Sequence, residues 1–336
     1  MDIDTLTVEQ LHRAFEENGY ICERDLVVTV FLALKLGKPL LVEGAPGVGK
    51  TEIAKVLSRV FATELIRLQC YEGLDENKAL YEWNYQRQLL KIQLLKESAA
   101  CGEAAESDLF GPDYLLERPL LKAIRAGCRV VLLIDEVDKV DEEFEAFLFE
   151  VLSDFQVSIP ELGTLAARHI PIVVLTSNGE RDLSDGLKRR CVYLYIDYPS
   201  VEKEVRILRV KVPEAQERLA REVAQAVHFI RENLDLRKKP AISEAIDWTR
   251  ALVALGAGSL TPELAGQTLS LALKNKEDID MLLQSVGVKG IAEGARGVAP
   301  APFYPAPGLA HGHGHQHPPG CGCSGGQRDG GGRTAL

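Results

Sequence analysis

A glycine-rich segment at residues 44–51 has the residue types needed to hold phosphate groups. Glycines let the backbone bend so that successive N–H groups converge on phosphate oxygens, and a following helix adds the positive end of its dipole. Lys50 is predicted to bridge the β- and γ-phosphates, and the Thr51 hydroxyl to ligate Mg²⁺. The segment fits the pattern G-x-x-x-x-G-K-[ST] and consists of Gly44, Ala45, Pro46, Gly47, Val48, Gly49, Lys50 and Thr51.

Two carboxylates directly follow the apolar run at residues 130–134. They are Asp135 and Glu136. In an open α/β sheet the carboxyl ends of the strands form the ligand-binding edge. Asp135 suits the Mg²⁺ shell, and Glu136 suits the general base that orients and deprotonates an attacking water. For the next polar residues, Asp138 and Lys139, a solvated helix face is expected rather than catalysis.

A third apolar run, residues 172–175, ends in Thr-Ser-Asn. Asn178 could hold the attacking water between Glu136 and the γ-phosphate, and it could equally be a turn residue. The order of phosphate loop, acidic strand end and Asn-ended strand favours the first interpretation. Downstream, Arg189 and Arg190 could stabilise phosphoryl transfer in a neighbouring subunit, or form surface ion pairs. Of these two arginines, Arg190 is the preferred candidate.

These side chains require strands that end at a common edge. Apolar runs predict strands at 39–43, 65–68, 130–134, 172–175 and 192–196, with helices at 52–61 and 144–155 between them. A short hairpin is expected at 156–163. This alternation predicts an α/β nucleotide-binding core with a largely parallel sheet over residues 1–198. Residues 199–286 show only helical periodicity and predict a small all-helical lid domain.

The last part of the chain differs in composition. Between residues 291 and 336, 18 of 46 residues are Gly or Pro, so we predict a disordered tail over 287–336. Imidazoles and thiolates in this tail suit Cu, Ni or Zn, although low-complexity sequence without function is an equal alternative. The candidate metal ligands are His311, His313, His315, His317, Cys321 and Cys323.

Composition excludes several classes of protein. The net charge of -10 argues against a sequence-independent grip on nucleic acid. The apolar runs are much shorter than the roughly 20 residues of a membrane-spanning helix, and the start of the chain lacks the pattern of a signal peptide. We therefore expect a cytoplasmic protein. In it, reduced thiols are expected at Cys22, Cys70, Cys101, Cys128 and Cys191.

Taken together, these motifs resemble the MoxR branch of AAA+ ATPases. The resemblance covers residues 15–285 and rests on the phosphate loop, the Asp135–Glu136 pair, Asn178 and the two arginines before Tyr198. The segments 70–75 and 81–85 are similar to the CoxD-like subgroup, which is associated with maturation of carbon monoxide dehydrogenase. The resemblance implies a P-loop AAA+ core with a helical lid, Mg²⁺-ATP hydrolysis, and a homo-oligomeric ring that is usually a hexamer.

The same resemblance implies partners and one departure. The partners are a protein with a von Willebrand factor A domain and a client metalloenzyme of the molybdenum type, into which a metal centre is inserted. Related ATPases often carry an arginine early in a lid helix, but Glu244 stands at the comparable position here and Arg250 is displaced. Trp248 is expected in the core of the lid.

The sequence is also compatible with three alternatives to a client-remodelling ATPase. The first is a metal carrier whose nucleotide site is regulatory. The second is a nucleic-acid-stimulated motor of the same fold, which the acidic composition disfavours. The third is a small-molecule kinase. The Asp135–Glu136 pair and Asn178 argue against it, because they indicate that water attacks the phosphate.

Overall fold

The central sheet has five parallel strands with helices on both sides. The computed structural model describes residues 1–97, 111–160 and 162–296. The strand order is β2-β5-β8-β1-β9, and each neighbouring pair is parallel. The strand bounds are β1 Leu40–Gly44, β2 Leu65–Gln69, β5 Val131–Asp135, β8 Ile172–Ser177 and β9 Val192–Ile196. The prediction of an α/β core with a parallel sheet is confirmed.

Alternating strand residues fill two separate apolar cores. In β1, Leu40 and Val42 lie in one core, whereas Leu41 lies in the other. Successive side chains of a strand point to opposite faces, so a strand covered on both sides is apolar throughout. The three helices of the first core are α1 Val8–Glu17, α2 Arg24–Leu36 and α3 Lys50–Phe61. The two main helices of the second core are α6 Pro119–Ile124 and α7 Glu142–Asp154.

Shorter elements connect these layers. A two-stranded antiparallel ribbon forms from β3 Tyr81–Trp83 and β4 Leu115–Glu117, and it lies beside α4 Glu76–Ala79 and α5 Tyr85–Glu97. The hairpin expected after α7 is present as β6 Gln156–Ile159 and β7 Gly163–Ala166. Two 3₁₀ turns span Pro112–Tyr114 and Val137–Lys139, and a short α8 covers Asp185–Arg190.

After β9 the described chain is helical. Its six helices bury a core of their own, in which Trp248 is fully buried and donates its indole N–H to the Thr268 hydroxyl at 2.6 Å. We call this part of the chain the helical region. Its elements are α9 Val201–Lys211, α10 Glu217–Asn233, α11 Ile242–Ala254, α12 Pro262–Ala272, α13 Lys276–Ser285 and α14 Gly287–Gly294.

The helical region continues past the predicted boundary at residue 286. The sequence interpretation placed residues 287–294 in the tail, but they form α14, with Ile291 fully buried. Gly290 and Gly294 are packing positions. A Cβ on Gly294 would lie 2.7 Å from the Phe229 ring, so only glycine fits there. The residues from 297 onward lie outside the described part of the chain.

Candidate functional site

The phosphate loop joins β1 to α3 in a conformation that glycine allows. Gly47 and Gly49 have φ values of +81° and +100°. A Cβ on Gly47 would lie 2.3 Å from the Ser243 hydroxyl and 2.9 Å from the Ala241 Cβ, so the start of α11 lies directly on the loop. Val48 is buried beneath the loop, whereas Pro46 and Gly47 are exposed. The loop therefore presents its backbone to a space that the helical region partly covers.

Lys50 lies at the base of this space. Its ammonium donates to the carbonyls of Gly44 at 2.6 Å and Ala45 at 2.8 Å, and to the Asn178 amide oxygen at 2.8 Å. Burial lowers the pKa of Lys50, while the charges of Asp138 and Asp135 act in the opposite direction. The predicted phosphate lysine and the predicted Asn are thus in direct contact.

Thr51 and Asp135 meet across the neighbouring strands. The Thr51 hydroxyl donates to Asp135 Oδ1 at 3.0 Å, and the Thr176 hydroxyl donates to the same oxygen at 2.5 Å. Arg67, on β2, donates to Asp135 Oδ2 through Nε at 3.0 Å and Nη2 at 2.5 Å. Asp135 is 3% exposed. Each of its carboxylate oxygens therefore accepts two hydrogen bonds.

Glu136 begins the turn after β5 in a left-handed backbone conformation. Its φ is +59°, which is uncommon for a residue with a side chain and marks a constrained position. Its N–H donates to the Thr176 hydroxyl at 2.9 Å. Its carboxylate forms an ion pair with Lys139. Glu136 therefore lies at the rim of the phosphate space, with Lys139 as its counterion.

Asn178 is held in place by Asp138. One oxygen of the Asp138 carboxylate accepts the backbone N–H of Asn178 at 3.0 Å and of Glu180 at 3.1 Å. Asp138 is 4% exposed, and its other oxygen, Oδ1, has no hydrogen-bond partner in the described structure. The expectation of a solvated position was wrong for Asp138. Its 3₁₀ turn directs the side chain inward, against the end of β8.

Within the described residues, neither Arg189 nor Arg190 forms a hydrogen bond or an ion pair with the phosphate loop. Arg189 and Arg190 end α8 and are exposed. The guanidinium carbon of Arg190 lies 4.7 Å from the centre of the Phe149 ring on α7. A nearby arginine, Arg181, pairs with the buried Glu145 and donates to the Val140 carbonyl at 2.6 Å. Arg190 therefore remains available on the outer surface of α8.

Near the start of α11, Glu244 stands at the position where related ATPases often carry an arginine. Glu244 accepts hydrogen bonds from the Ala241 N–H at 3.0 Å and the Ser243 hydroxyl at 2.9 Å, so it caps the helix. The Ser243 N–H donates to the Gly47 carbonyl at 3.3 Å. Arg250 pairs with Asp247 at 3.5 Å on the exposed side of the same helix. The backbone and Ser243 therefore make the contact with the phosphate loop.

Two cavities meet at the phosphate loop. One, of about 300 Å³, is lined by Lys50, Thr51, Asp135, Glu136 and Asn178, among others. The second, of about 210 Å³, lies between the phosphate loop, the segment before α2 and the helical region. Most of the side chains that line this second cavity are apolar. They include Ile21, Leu26, Ile196, Pro199, Ile207, Ile242 and Ile246.

The donor set near Thr51 fits Mg²⁺. A hydroxyl and a buried carboxylate, 3.0 Å apart beside a loop of inward-facing backbone, are the hard oxygen ligands that this ion prefers together with phosphate oxygens. Across residues 1–97, 111–160 and 162–296, no group of three or more His, Cys, Asp or Glu side chains could hold a metal ion. The predicted His and Cys ligands of the tail lie outside the described residues.

Several residues of the site were missed by sequence reasoning. Arg67 sits in the middle of a predicted strand, where an exposed polar position looks ordinary. Thr176 was treated only as part of a polar strand end. Ser243 had no signal, because the return of α11 to the phosphate loop depends on tertiary packing. Asp138 could have been found from its position three residues after Asp135, in the short turn that follows β5.

A family model matches the part of the chain that carries this site. The model described as AAA domain (dynein-related subfamily) matches residues 39–191. The matched segment runs from the start of β1 to the residue after α8 and includes the phosphate loop, the Asp135–Glu136 pair, Asn178 and both candidate arginines. Together with the parallel sheet, this match shows that the α/β core has an AAA+ P-loop fold.

Two uncharacterized proteins of Staphylococcus aureus, from strains bovine RF122 / ET3-1 and MW2, are each 28% identical over 230 residues, covering 66% of this chain and 77% of the relative. The Thermotoga maritima RuvB Holliday junction branch migration motor is 17% identical with a TM-score of 0.40, covering 87% of this chain and 80% of that one. An arginine-to-alanine mutant of RuvB has 17% identity and a TM-score of 0.45, at 84% and 82% coverage.

Within the described residues, no helix combines the length and apolar character that crossing a membrane requires.

Proposed function

We propose that the chain binds Mg²⁺-ATP at residues 44–51 and hydrolyses it with water. The observation that carries the proposal is the convergence of Lys50, Thr51, Asp135 and Asn178, which come from three neighbouring strand ends and share direct hydrogen bonds. Such a cluster beside a phosphate loop positions the triphosphate and its metal ion, which is most of what phosphoryl transfer requires.

The second cavity supports a nucleoside as the ligand. It adjoins the phosphate loop at Gly47, Val48 and Gly49 and has apolar walls that suit a flat base. Its walls come from the segment before α2, the end of β9 and the helices α9 and α11. Occupation by a base therefore links the α/β core to the helical region, which is consistent with a nucleotide-dependent change of shape.

The site residues take separate roles in the reaction. Lys50 would contact the β- and γ-phosphates, and Thr51 and Asp135 would hold Mg²⁺, which would supply positive charge to the phosphate oxygens. Glu136 accepts the proton of the attacking water, and Asn178 orients that water. Glu136 must leave its ion pair with Lys139 to do so. In the described structure, the Lys50 ammonium donates to the Asn178 amide oxygen, so a bound γ-phosphate would have to separate these two side chains.

The transition-state arginine comes from a second copy of the chain. Arg190 lies on the outer surface of α8 with its guanidinium over Phe149, and Arg189 is its exposed neighbour. Neither contacts the phosphate loop of its own chain in the described hydrogen bonds. A homo-oligomeric ring, with a hexamer as the expected size, places one of them in the adjacent site, and Arg190 is the preferred candidate.

The proposed biological role is remodelling of a client protein. The resemblance to the MoxR branch and its CoxD-like subgroup supports insertion of a metal centre into a molybdenum enzyme, with a von Willebrand factor A domain protein as partner. The histidines and cysteines of the tail would supply or receive Cu, Ni or Zn. The core domain of residues 1–198 and the lid from residue 199 would convert ATP turnover into movement.

Binding and phosphate release test the proposal directly. The full chain is expected to bind a fluorescent ATP analogue in the presence of Mg²⁺ and to release phosphate from ATP. Lys50→Ala should lose both, because a buried ammonium that faces the phosphates is removed. Arg59→Ala, an exposed change on the same helix, is the matched control. A chain that binds no Mg²⁺-ATP, or binds it equally well after Lys50→Ala, would contradict the proposal.

A further inference from the structure

The two cavities at the phosphate loop share part of their walls. The larger cavity is lined by Lys50, Thr51 and the strand-end residues, and the second cavity mainly by apolar side chains that suit a base. The residues that line both cavities are Gly47, Gly49, Glu52 and Ser243. In a nucleotide the ribose joins the base to the phosphates. A nucleotide that fills both cavities therefore places its ribose beside these shared residues.

Glu52 is the charged side chain among these shared residues. It directly follows Thr51 in the first turn of α3, and its side chain is 26% exposed. The other shared residue with a side chain is Ser243, whose hydroxyl already donates to Glu244 at 2.9 Å. That hydroxyl also packs on the phosphate loop, since a Cβ on Gly47 would lie 2.3 Å from it. The Glu52 carboxylate is therefore the group to examine as an acceptor for the sugar.

The two oxygens of the Glu52 carboxylate have different surroundings. Oε1 accepts hydrogen bonds from the Arg59 guanidinium at 2.9 Å and the Lys211 ammonium at 3.5 Å. Oε2 lies 3.7 Å from the Lys55 ammonium and accepts no hydrogen bond from any described residue. Because Lys211 stays on Oε1 when Arg59 is removed, the anchor of the side chain is redundant. Oε2 keeps its lone pairs free for a hydroxyl donor.

The surrounding cations make this carboxylate compatible with a nearby phosphate chain. Burial raises the pKa of Glu52, but the hydrogen bond from Arg59 and the charges of Lys211 and Lys55 outweigh burial and hold this pKa below its ordinary value. The carboxylate is therefore ionised near neutral pH, and it accepts hydrogen bonds without donating any. One negative charge stands among three positive ones, so the cluster does not repel phosphate.

We propose that Glu52 Oε2 accepts a hydrogen bond from a ribose hydroxyl and so makes the site selective for nucleotides with an intact ribose. The inference rests on the proposed function, because it needs a nucleotide that spans both cavities. A hydroxyl donor and an ionised acceptor are complementary, and a hydrogen bond to a charged group is stronger than one between neutral groups. A sugar that lacks this hydroxyl leaves the acceptor unpaired and binds more weakly.

The same acceptor is tied to the helical region. Lys211 is the last residue of α9, whereas Glu52 and Arg59 belong to α3. The ion pair between Lys211 and Glu52 therefore joins the helical region to the α/β core beside the sugar position. Lys211 is a positioning residue in this arrangement, because it holds Oε1 and leaves Oε2 to the ligand.

Calorimetric titration of the full chain with ADP, 2′-deoxy-ADP and 3′-deoxy-ADP, each with Mg²⁺, tests the inference. A diphosphate is used because the γ-phosphate is not needed to bring the ribose to Glu52, and its absence rules out turnover during the titration. The variants are Glu52→Ala and Glu52→Gln. The matched control is Glu9→Ala, which removes an exposed carboxylate from an arginine pair of the same 2.9 Å length on α1.

The wild type is expected to bind ADP about 5- to 20-fold more tightly than at least one deoxy ligand, a range at the low end for a charged acceptor because Glu52 is partly exposed. The weaker ligand identifies the hydroxyl. Glu52→Ala should bring the ratio of affinities to within about twofold of one, and Glu52→Gln to an intermediate value, because a neutral amide is the weaker acceptor. Glu9→Ala should keep the wild-type ratio.

The ratio of affinities separates sugar recognition from a merely structural role, which would weaken all three ligands equally. Equal affinity of the wild type for the three ligands would overturn the inference and leave the proposed function intact. A wild-type ratio that survives Glu52→Ala would assign the sugar to another group, such as Ser243. If Glu52→Ala binds too weakly to measure, Glu52→Gln decides, and a wild-type ratio there also overturns the inference. A wild type that binds none of the ligands would sink the proposed function itself.

Discussion

Glu136 combines a constrained backbone with a displaceable counterion. Its left-handed φ of +59° fixes where its side chain leaves the turn, while Lys139 occupies its carboxylate. In the proposed reaction, Glu136 would leave Lys139 and turn toward a water beside the γ-phosphate. The proposal thus assigns nucleotide binding to Lys50 and the loop, and proton transfer to Glu136.

Glu136→Gln is therefore expected to keep ATP binding and lose turnover. The amide preserves the shape of the side chain but cannot accept a proton, so turnover should fall by about 100- to 10,000-fold. Binding of the fluorescent ATP analogue should change little. Glu142→Gln, an exposed change nearby, serves as the control. Near-normal phosphate release by the Glu136→Gln variant would remove Glu136 from the role of base.

Asp138 is the residue on which the position of Asn178 depends. Asp138→Ala leaves two backbone N–H groups without their acceptor and should reduce the free energy of unfolding by about 1–3 kcal/mol. Turnover should fall more than nucleotide affinity, because the loop that carries Asn178 is no longer fixed. Asp138→Asn retains an acceptor oxygen and should recover part of the stability in urea unfolding. Full turnover by the alanine variant would show that Asn178 is positioned by other contacts.

In the proposed site, Arg67 would compete with Mg²⁺ for Asp135. Its guanidinium occupies one oxygen of this buried carboxylate, whose other oxygen already accepts two hydroxyls. Arg67 is itself half exposed, so its ion pair contributes at most about 1 kcal/mol, which corresponds to about fivefold in Mg²⁺ affinity. Arg67→Ala should lower the Mg²⁺ concentration for half-maximal binding of the ATP analogue by about two- to fivefold. An unchanged or higher requirement would mean that Arg67 supports the ion instead.

At the scale of elements, the strands were predictable and the contacts between distant elements were not. The continuous apolar runs of β5 and β8 identify strands covered on both faces, and β1 is fixed by the glycine-rich loop that follows it. The polar side chains predicted at these strand ends lie in contact, as the bonds between Lys50 and Asn178 and between Thr51 and Asp135 show. By contrast, the seating of α11 on Gly47 and the inward turn of Asp138 depend on tertiary packing, for which sequence periodicity carries no signal.

The end of the helical region illustrates the same limit. Gly287, Gly290 and Gly294 resemble the glycines of a linker, but Gly294 lies against Phe229, far away in the sequence. A glycine selected for close packing and one that merely tolerates any conformation look alike in a single sequence. Ile291, which is fully buried, was the available apolar signal, and it was outweighed by the composition of the residues after it.

A buried ion pair anchors α10 to α9 within the helical region. Arg231 donates to both oxygens of Glu204 at 2.9 Å and to the Pro240 carbonyl at 2.6 Å, and both side chains are almost fully buried. Through Pro240 the same guanidinium positions the segment that enters α11. This element therefore connects the packing of the helical region to the phosphate loop.

Glu204→Gln is expected to reduce the free energy of unfolding by about 3–5 kcal/mol, because it leaves a buried guanidinium without its counterion. The double change Glu204→Met with Arg231→Met should recover most of the loss, although the Pro240 carbonyl loses its donor. Urea unfolding can be followed by the fluorescence of Trp248 after Trp83→Phe removes the other tryptophan. A loss smaller than that of an exposed change such as Glu232→Gln would contradict a structural role for this pair.

At the scale of the whole molecule, the charge is unevenly distributed. The net charge is -10, and four exposed carboxylates of α7, Glu142, Glu143, Glu150 and Asp154, form no ion pair with any described residue. Unpaired like charges on one helix repel each other, and this repulsion is weakened by salt.

The tail can be tested at this scale, because its candidate ligands all lie after residue 296, outside the described part of the chain. A chain cut after Arg296 retains α14 with Ile291 and Ala295 buried, whereas a cut at residue 290 would expose the core of the helical region. The full chain is expected to bind Cu, Ni or Zn more tightly than the cut chain in equilibrium dialysis under reducing conditions, since imidazole and thiolate ligands suit these ions. Replacing the four histidines at 311, 313, 315 and 317 by glutamine should remove most of the difference, while ATP binding stays constant in all chains. Equal metal binding by the full and cut chains would exclude the tail as a metal site and leave the nucleotide site unaffected.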